Sequence, residues 1–146
     1  MFDLGNKRYI EWSDIDYRCQ EILKNCGYNN KEYELVVGIA RGGMVPATLL
    51  SYGLDVPMRA LYVSTFSNGE RKGINDATDA ETKKLLKNYK VLIVDDIYDT
   101  GQTAEYIEKE YPNADFIPLF DKRLEDPENK YWYVFPWDTD YVEKVY

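Results

Sequence analysis

The stretch VLIVDDIYDTGQT, residues 91–103, gathers the residue types that do chemistry. An aliphatic run delivers two adjacent carboxylates, Asp95 and Asp96, then a third, Asp99, and Thr100-Gly101-Gln102-Thr103 leads into a helical pattern. Two neighbouring carboxylates are costly to bury unpaired, so a magnesium ion, sugar hydroxyls or a basic side chain must compensate them. A helix that opens at this turn offers free backbone amides, the positive end of its dipole and two threonine hydroxyls, all of which favour a phosphate. A site for hydroxyls and metal therefore lies beside a site for phosphate.

The chain contains no histidine. That removes Ser-His and Cys-His nucleophile pairs and the common histidine metal sites, leaving acid-base work to carboxylates, Lys or Tyr. Neither a Walker A run nor a dinucleotide Gly-x-Gly-x-x-Gly is present. An EF-hand counted from Asp96 would put Tyr98 and Thr100 at its third and fifth positions and Ile107 at its twelfth, a set that does not hold calcium.

The elements that must position these residues alternate. Ser13 with Asp16 reads as a capping box for a helix carrying Ile15, Cys19, Ile22, Leu23 and Cys26, closed by Gly27. Residues 33–40 form an apolar strand, Arg41-Gly42-Gly43 a turn, and a helix follows with Pro46 in its first turn. Another strand is expected over 57–64, a mobile loop over 65–78, a short helix over 79–88 and the central strand over 90–95. A helix over 102–110 and strands over 116–120 and 131–135 complete the pattern. Strands alternating with helices predict an α/β fold with a mostly parallel twisted sheet flanked by helices. In such sheets ligands bind beyond the carboxyl ends of the strands, where Asp95 and Asp96 fall.

With 146 residues, the chain is expected to form a single domain over 1–146 and to bury roughly two-thirds of its unfolded surface. Its 18 Lys and Arg against 26 Asp and Glu, a net charge of -8, disfavour nucleic acid and anionic membranes as partners. No apolar run is long enough for a membrane span and no leader is evident, so a cytoplasmic protein is expected. Cys19 and Cys26 lie two helical turns apart, too far for a disulfide, and read as reduced buried thiols.

The run VLIVDDIYDTGQT resembles the phosphoribosyl-pyrophosphate signature of type I phosphoribosyltransferases, and IARGGMVPA, residues 39–47, resembles their pyrophosphate loop. Phe120-Asp121-Lys122 and the aromatic run from Trp132 to Asp138 resemble the purine hood of the xanthine-guanine subgroup, a small C-terminal hood. The resemblance implies a magnesium-dependent transfer of the 5-phosphoribosyl group from phosphoribosyl pyrophosphate to a 6-oxopurine, as in purine salvage. It implies that Asp95 and Asp96 hold the ribose hydroxyls, with Asp96 contacting the metal. Asp99 would be the catalytic proton acceptor at the purine imidazole edge, and Thr100, Gly101, Gln102 and Thr103 would hold the 5′-phosphate. Arg41 and Gly42 would receive pyrophosphate, and Arg71 would close as a lid. Lys122 would donate to the 6-oxo group, Trp132 would stack on the base, and the Tyr133 backbone would read its edge. A homo-oligomer, dimer or tetramer, is expected. Two other readings stand beside this one: a non-catalytic binding regulator that keeps the phosphoribosyl site, and transfer to a pyrimidine or other base. Gln102 stands where many relatives carry Gly, and Ser64-Thr65-Phe66 where a Ser-Tyr pair is common.

Overall fold

The computed structural model describes residues 1–28, 32–69 and 71–145, with only the backbone of Tyr28, Ser67, Asn68, Arg71, Lys72, Lys144 and Val145. In chain order the elements are β1 (Phe2–Leu4), β2 (Lys7–Tyr9), α1 (Trp12–Tyr28), β3 (Leu35–Ile39), α2 (Met44–Leu54), β4 (Met58–Leu61), β5 (Val63–Asn68), β6 (Arg71–Asp76), α3 (Ala80–Asn88), β7 (Val91–Tyr98), α4 (Gln102–Glu110), β8 (Asp115–Asp121), α5 (Lys122–Glu125), β9 (Trp132–Val134) and α6 (Thr139–Val145).

Four strands form a parallel sheet in the order β4-β3-β7-β8. After β4 the chain crosses back over β3 to lay down β7, so the strand order reverses between β3 and β7. Loops leaving those two strands at their carboxyl ends diverge and open a crevice.

Both faces of the sheet are buried, which explains why its strands read as continuous apolar runs. Val36, Leu92 and Val94 face a core shared with Ile15, Cys19, Ile22 and Cys26 of α1 and Ala47 and Leu50 of α2. Val37, Val91 and Ile93 face a second core with Leu86 of α3 and Ile107 of α4. Burying each large aliphatic side chain contributes about 1.5–3 kcal/mol, which fixes the strand register because a one-residue slip would exchange the faces. Both cysteines are buried and neither is in a disulfide, as expected.

Four expectations are corrected. Helix α1 starts before Ser13: the Asp14 carboxylate accepts from the Glu11 N–H at 2.9 Å, so Glu11 occupies the cap position, and the helix runs through Gly27. The strand expected over 57–64 breaks at Tyr62 into β4 and β5. The mobile loop expected over 65–78 is largely an antiparallel hairpin, β5 with β6, in register from Val63 with Asp76. The strand expected over 131–135 is only Trp132–Val134, and it belongs to the hood: β9 pairs parallel with β2, which pairs antiparallel with β1. The hood is thus built by both chain ends.

Candidate active site

Strand β7 is longer than its apolar run suggests. It stays paired with β8 through Asp95, Ile97 and Tyr98, but its pairing with β3 ends at Val94. The two carboxylates therefore project where β3 has already turned away, at the mouth of the crevice. Successive strand residues face opposite sides, so Asp95 continues the row of Val91 and Ile93, and Asp96 continues the row of Leu92 and Val94.

On its side Asp96 meets the β3–α2 turn. A Cβ on Gly42 would overlap the Asp96 carboxylate, so glycine there lets the turn backbone close on the acid. Burial raises the pKa of both acids above the ordinary carboxylate range, and for Asp95 the neighbouring Asp96 charge adds to it. The Asp96 N–H donates to Asp95 Oδ1 at 2.8 Å. Among the described residues no Lys or Arg forms an ion pair with either acid.

After Asp99 the chain reaches Gly101, whose φ of 85° is in the left-handed region that glycine adopts freely and whose missing Cβ leaves room for the Tyr98 hydroxyl. The Tyr98 ring is covered in turn by the Arg123 guanidinium at 3.7 Å. Gly101 supplies no side-chain cap to α4. Helix α3, by contrast, is capped by Asp79, which accepts from the Thr82 N–H at 3.0 Å. The Gln102 N–H donates to the Thr100 hydroxyl at a long 3.4 Å, and the next amides of α4, those of Thr103 and Ala104, are left open toward a ligand.

Two cavities meet here. The first, about 250 Å³, is lined by Asp95, Asp96, Asp99, Thr100, Gly101 and Thr103, with Thr65 from the β5–β6 hairpin. The second, about 200 Å³, is lined by Asp96, Asp99, Lys122, Trp132, Tyr133 and Asp138. Asp96, Ile97 and Asp99 line both and form the wall between them.

Lys122 is buried at the end of β8, with its ammonium 3.4 Å from Asp99 Oδ1. Trp132 is 62% exposed, a ring standing free at the cavity rim rather than in the core. The ladder from β9 to β2 uses Trp132, whose N–H donates to Asn6 O at 2.8 Å, and Val134, whose carbonyl accepts from the Ile10 N–H at 2.8 Å. The parallel pattern turns the Tyr133 backbone to the free edge of β9. Its side chain is buried and held through its hydroxyl by Arg8, which also stacks on the Tyr131 ring at 4.2 Å.

The structure thus brings together Asp95, Asp96, Asp99, Thr100, Gly101, Thr103, Lys122, Trp132 and Tyr133. Arg41 is exposed on the β3–α2 turn and lines neither cavity. The Gln102 side chain turns away to donate to Gly73 O of β6 at 3.3 Å, tying the hairpin to α4. Arg71 is on β6, with its side chain outside the described residues. Asp138 was placed in the hood by resemblance but given no site role: it caps α6 from the end of the aromatic run and lines the second cavity, while its carboxylate accepts from the Phe135 N–H at 2.8 Å. Its place after Pro136-Trp137 was the one available signal.

The sequence profile of the phosphoribosyl transferase domain matches residues 6–144. The chain belongs to the phosphoribosyl transferase domain family. A xanthine-guanine phosphoribosyltransferase of Desulfotalea psychrophila is 32% identical over 156 residues, covering 96% of this chain and 92% of that protein. A xanthine-guanine phosphoribosyltransferase of Cereibacter sphaeroides is 29% identical over 150 residues, covering 92% and 90%. In fold, the chain is similar to a purine phosphoribosyltransferase from Pyrococcus horikoshii, with a TM-score of 0.69, 24% identity and coverage of 91% and 95%. As a phosphoribosyltransferase the chain is an enzyme of the glycosyltransferase class, and the strand, turn and helix from Val91 to Thr103 are the part of this fold described above. Among the described residues no helix is long and apolar enough to cross a membrane.

Proposed function

We propose that the protein transfers the 5-phosphoribosyl group from phosphoribosyl pyrophosphate to a 6-oxopurine, xanthine, guanine or hypoxanthine, releasing pyrophosphate. The observation that carries this reading is the pair of cavities with a shared wall. One has amides and threonine hydroxyls, the other a buried ammonium and a free aromatic face, and Asp96 and Asp99 stand between them. A purine mononucleotide has the same layout, with phosphate at one end, base at the other and ribose in between.

In this reading the open amides of α4 and the hydroxyls of Thr100 and Thr103 hold the 5′-phosphate, and Asp95 and Asp96 receive the ribose hydroxyls. The base nitrogen forms its bond to the anomeric carbon as the bond to pyrophosphate breaks, and Asp99 takes the proton from the imidazole edge. The carboxylates stabilise positive charge developing on the ribose ring. Lys122 donates to the 6-oxo group, the Tyr133 backbone reads the base edge and Trp132 stacks on it. Arg41 and the Gly42 backbone receive pyrophosphate, and Arg71 on the hairpin closes over it.

Magnesium fits the donor set. Half-buried carboxylates with no basic partner among the described residues, raised in pKa by burial, suit a hard cation that takes one or two protein oxygens and completes its shell with phosphate oxygens and water. Among the described residues no group of three or more acidic, Cys or His ligands makes an all-protein cage. Asp96 is the residue that would hold it, and the ion would neutralise charge on the leaving pyrophosphate. A soluble cytoplasmic enzyme of purine salvage, assembled as a dimer or tetramer, is consistent with this reading.

The test is to incubate the protein with phosphoribosyl pyrophosphate, magnesium and each of xanthine, guanine, hypoxanthine, adenine and uracil, and to separate the nucleotides formed. An oxopurine nucleotide, lost in Asp99→Ala, is expected. Binding of phosphoribosyl pyrophosphate without turnover of any base would instead favour a non-catalytic regulator.

A further inference from the structure

Lys122 is 6% exposed, deep for a lysine, and its ammonium has three donor positions. Asn129 Oδ1 occupies one at 2.5 Å, and Asp99 Oδ1 lies 3.4 Å away to take a second. The Tyr133 ring covers another side, with its centroid 5.6 Å from Nζ. The third donor is left for the cavity that Lys122 lines.

Asn129 is exposed, lines neither cavity and has no part in the mechanism above. It is nonetheless firmly placed. Its φ of 53° lies in the left-handed region, which Asn tolerates better than most residues. Its N–H donates to the Asp126 carbonyl at 2.9 Å, and the Asp126 N–H donates to the Lys122 carbonyl at 2.9 Å. The buried Asp126 carboxylate accepts from the N–H groups of Lys130 and Tyr131 at 2.9 and 2.8 Å. The ammonium and the amide oxygen that aims it therefore sit on one closed turn between Lys122 and Trp132.

We propose that Asn129 is a positioning residue that gives the base cavity its preference for a carbonyl over an amino group opposite Lys122, an inference that rests on the purine-transfer reading above. A lysine stem is flexible, and a free ammonium could swing toward Asp99 when an amino group arrives. Held by the Asn129 acceptor as well, it stays in place as a donor to the cavity. A carbonyl then satisfies it, whereas an amino group leaves two sets of donors facing each other.

The experiment measures calorimetric affinities of inosine 5′-monophosphate, adenosine 5′-monophosphate and ribose 5-phosphate for the wild type, Asn129→Gly and Asn129→Asp. Glycine keeps the left-handed backbone and removes the acceptor; aspartate keeps an acceptor. The wild type is expected to favour the 6-oxo nucleotide, and Asn129→Gly to lose about tenfold of that ratio, the size of one charge-assisted hydrogen bond. Asn129→Asp should retain the ratio, and ribose 5-phosphate should bind all three proteins equally. An unchanged ratio in Asn129→Gly overturns the role of Asn129 while leaving the purine reading intact. An equal loss for ribose 5-phosphate also overturns it, because the turn would then be only structural. A wild type that binds neither nucleotide contradicts the purine reading and the inference together.

Discussion

The two cavities are built in opposite ways. The first comes almost entirely from one uninterrupted segment, Asp95 to Ala104, that leaves the central strand and enters a helix, and much of what it offers is backbone. The second shares Asp96, Ile97 and Asp99 with the first and adds the start of α5, the edge of β9 and the cap of α6, and β9 is itself held by strands from residues 2–9. What it adds is mostly side chains, an ammonium, an indole and a carboxylate, beside the Tyr133 backbone. A backbone site depends on turn geometry and tolerates sequence change, whereas a side-chain site can be retuned one residue at a time. The base half should therefore be separable from the phosphoribosyl half by mutation.

The strongest way to break that comparison is Lys122→Met. It removes the cavity's buried donor and should weaken oxopurine binding about 100-fold, the scale of a hydrogen bond from a charged donor, with affinity for phosphoribosyl pyrophosphate unchanged. Equal losses for both substrates would show that the halves are one unit. Gly42→Ala tests the other side. The added Cβ overlaps the Asp96 carboxylate, and relieving about 2 kcal/mol of overpacking should lower phosphoribosyl pyrophosphate affinity about thirtyfold. Free-base binding is expected to hold, as calorimetry would show.

A smaller effect is expected at the rim. Trp132→Ala should weaken base binding about fivefold, from about 1 kcal/mol of stacking, with no change in melting temperature because the ring is 62% exposed. A clear drop in melting temperature would assign Trp132 to the core instead.

The smallest effect concerns the hairpin. Asp76 accepts from the Tyr106 hydroxyl at 2.6 Å, the Tyr111 hydroxyl at 2.9 Å and the Thr78 N–H at 3.0 Å. Burial pushes its carboxyl up, but these bonds outweigh burial and hold the pKa below the ordinary value. A folded pKa below the unfolded one means stability that is present above the ordinary carboxylate range and lost as pH falls through the lowered folded value. Urea unfolding should show the wild type losing about 0.5 kcal/mol more than Asp76→Asn on acidification through that window. Parallel pH profiles would remove Asp76 from the acid limb.

The contrast also explains what could be read from the chain. Helix α4 and the approach to Asp95 were legible because each is set within a few residues, by an aliphatic run, a left-handed glycine and a helical period. Lys122 and Trp132 were reached only through resemblance, since a lone lysine after a strand is ordinarily a solvated one. Strands β1 and β2 were not legible at all: Lys7-Arg8-Tyr9 has no apolar run, and its strand character comes from pairing with Trp132 to Val134 at the far end of the chain. The hairpin was read as a loop because Asn, Gly and charge dominate it, while its order comes from tertiary ties through Gln102 and Asp76 to α4. Asn129 carried no sequence signal, because its role depends on a turn that closes on Lys122.

The central claim is that the cavities are two halves of one nucleotide site. It is tested most directly by titrating a 6-oxopurine mononucleotide, ribose 5-phosphate and the free oxopurine into the wild type, Thr103→Ala and Lys122→Met. The account predicts that both variants weaken the nucleotide, that only Thr103→Ala weakens ribose 5-phosphate, and that only Lys122→Met weakens the base. A nucleotide whose affinity ignores either substitution would contradict it.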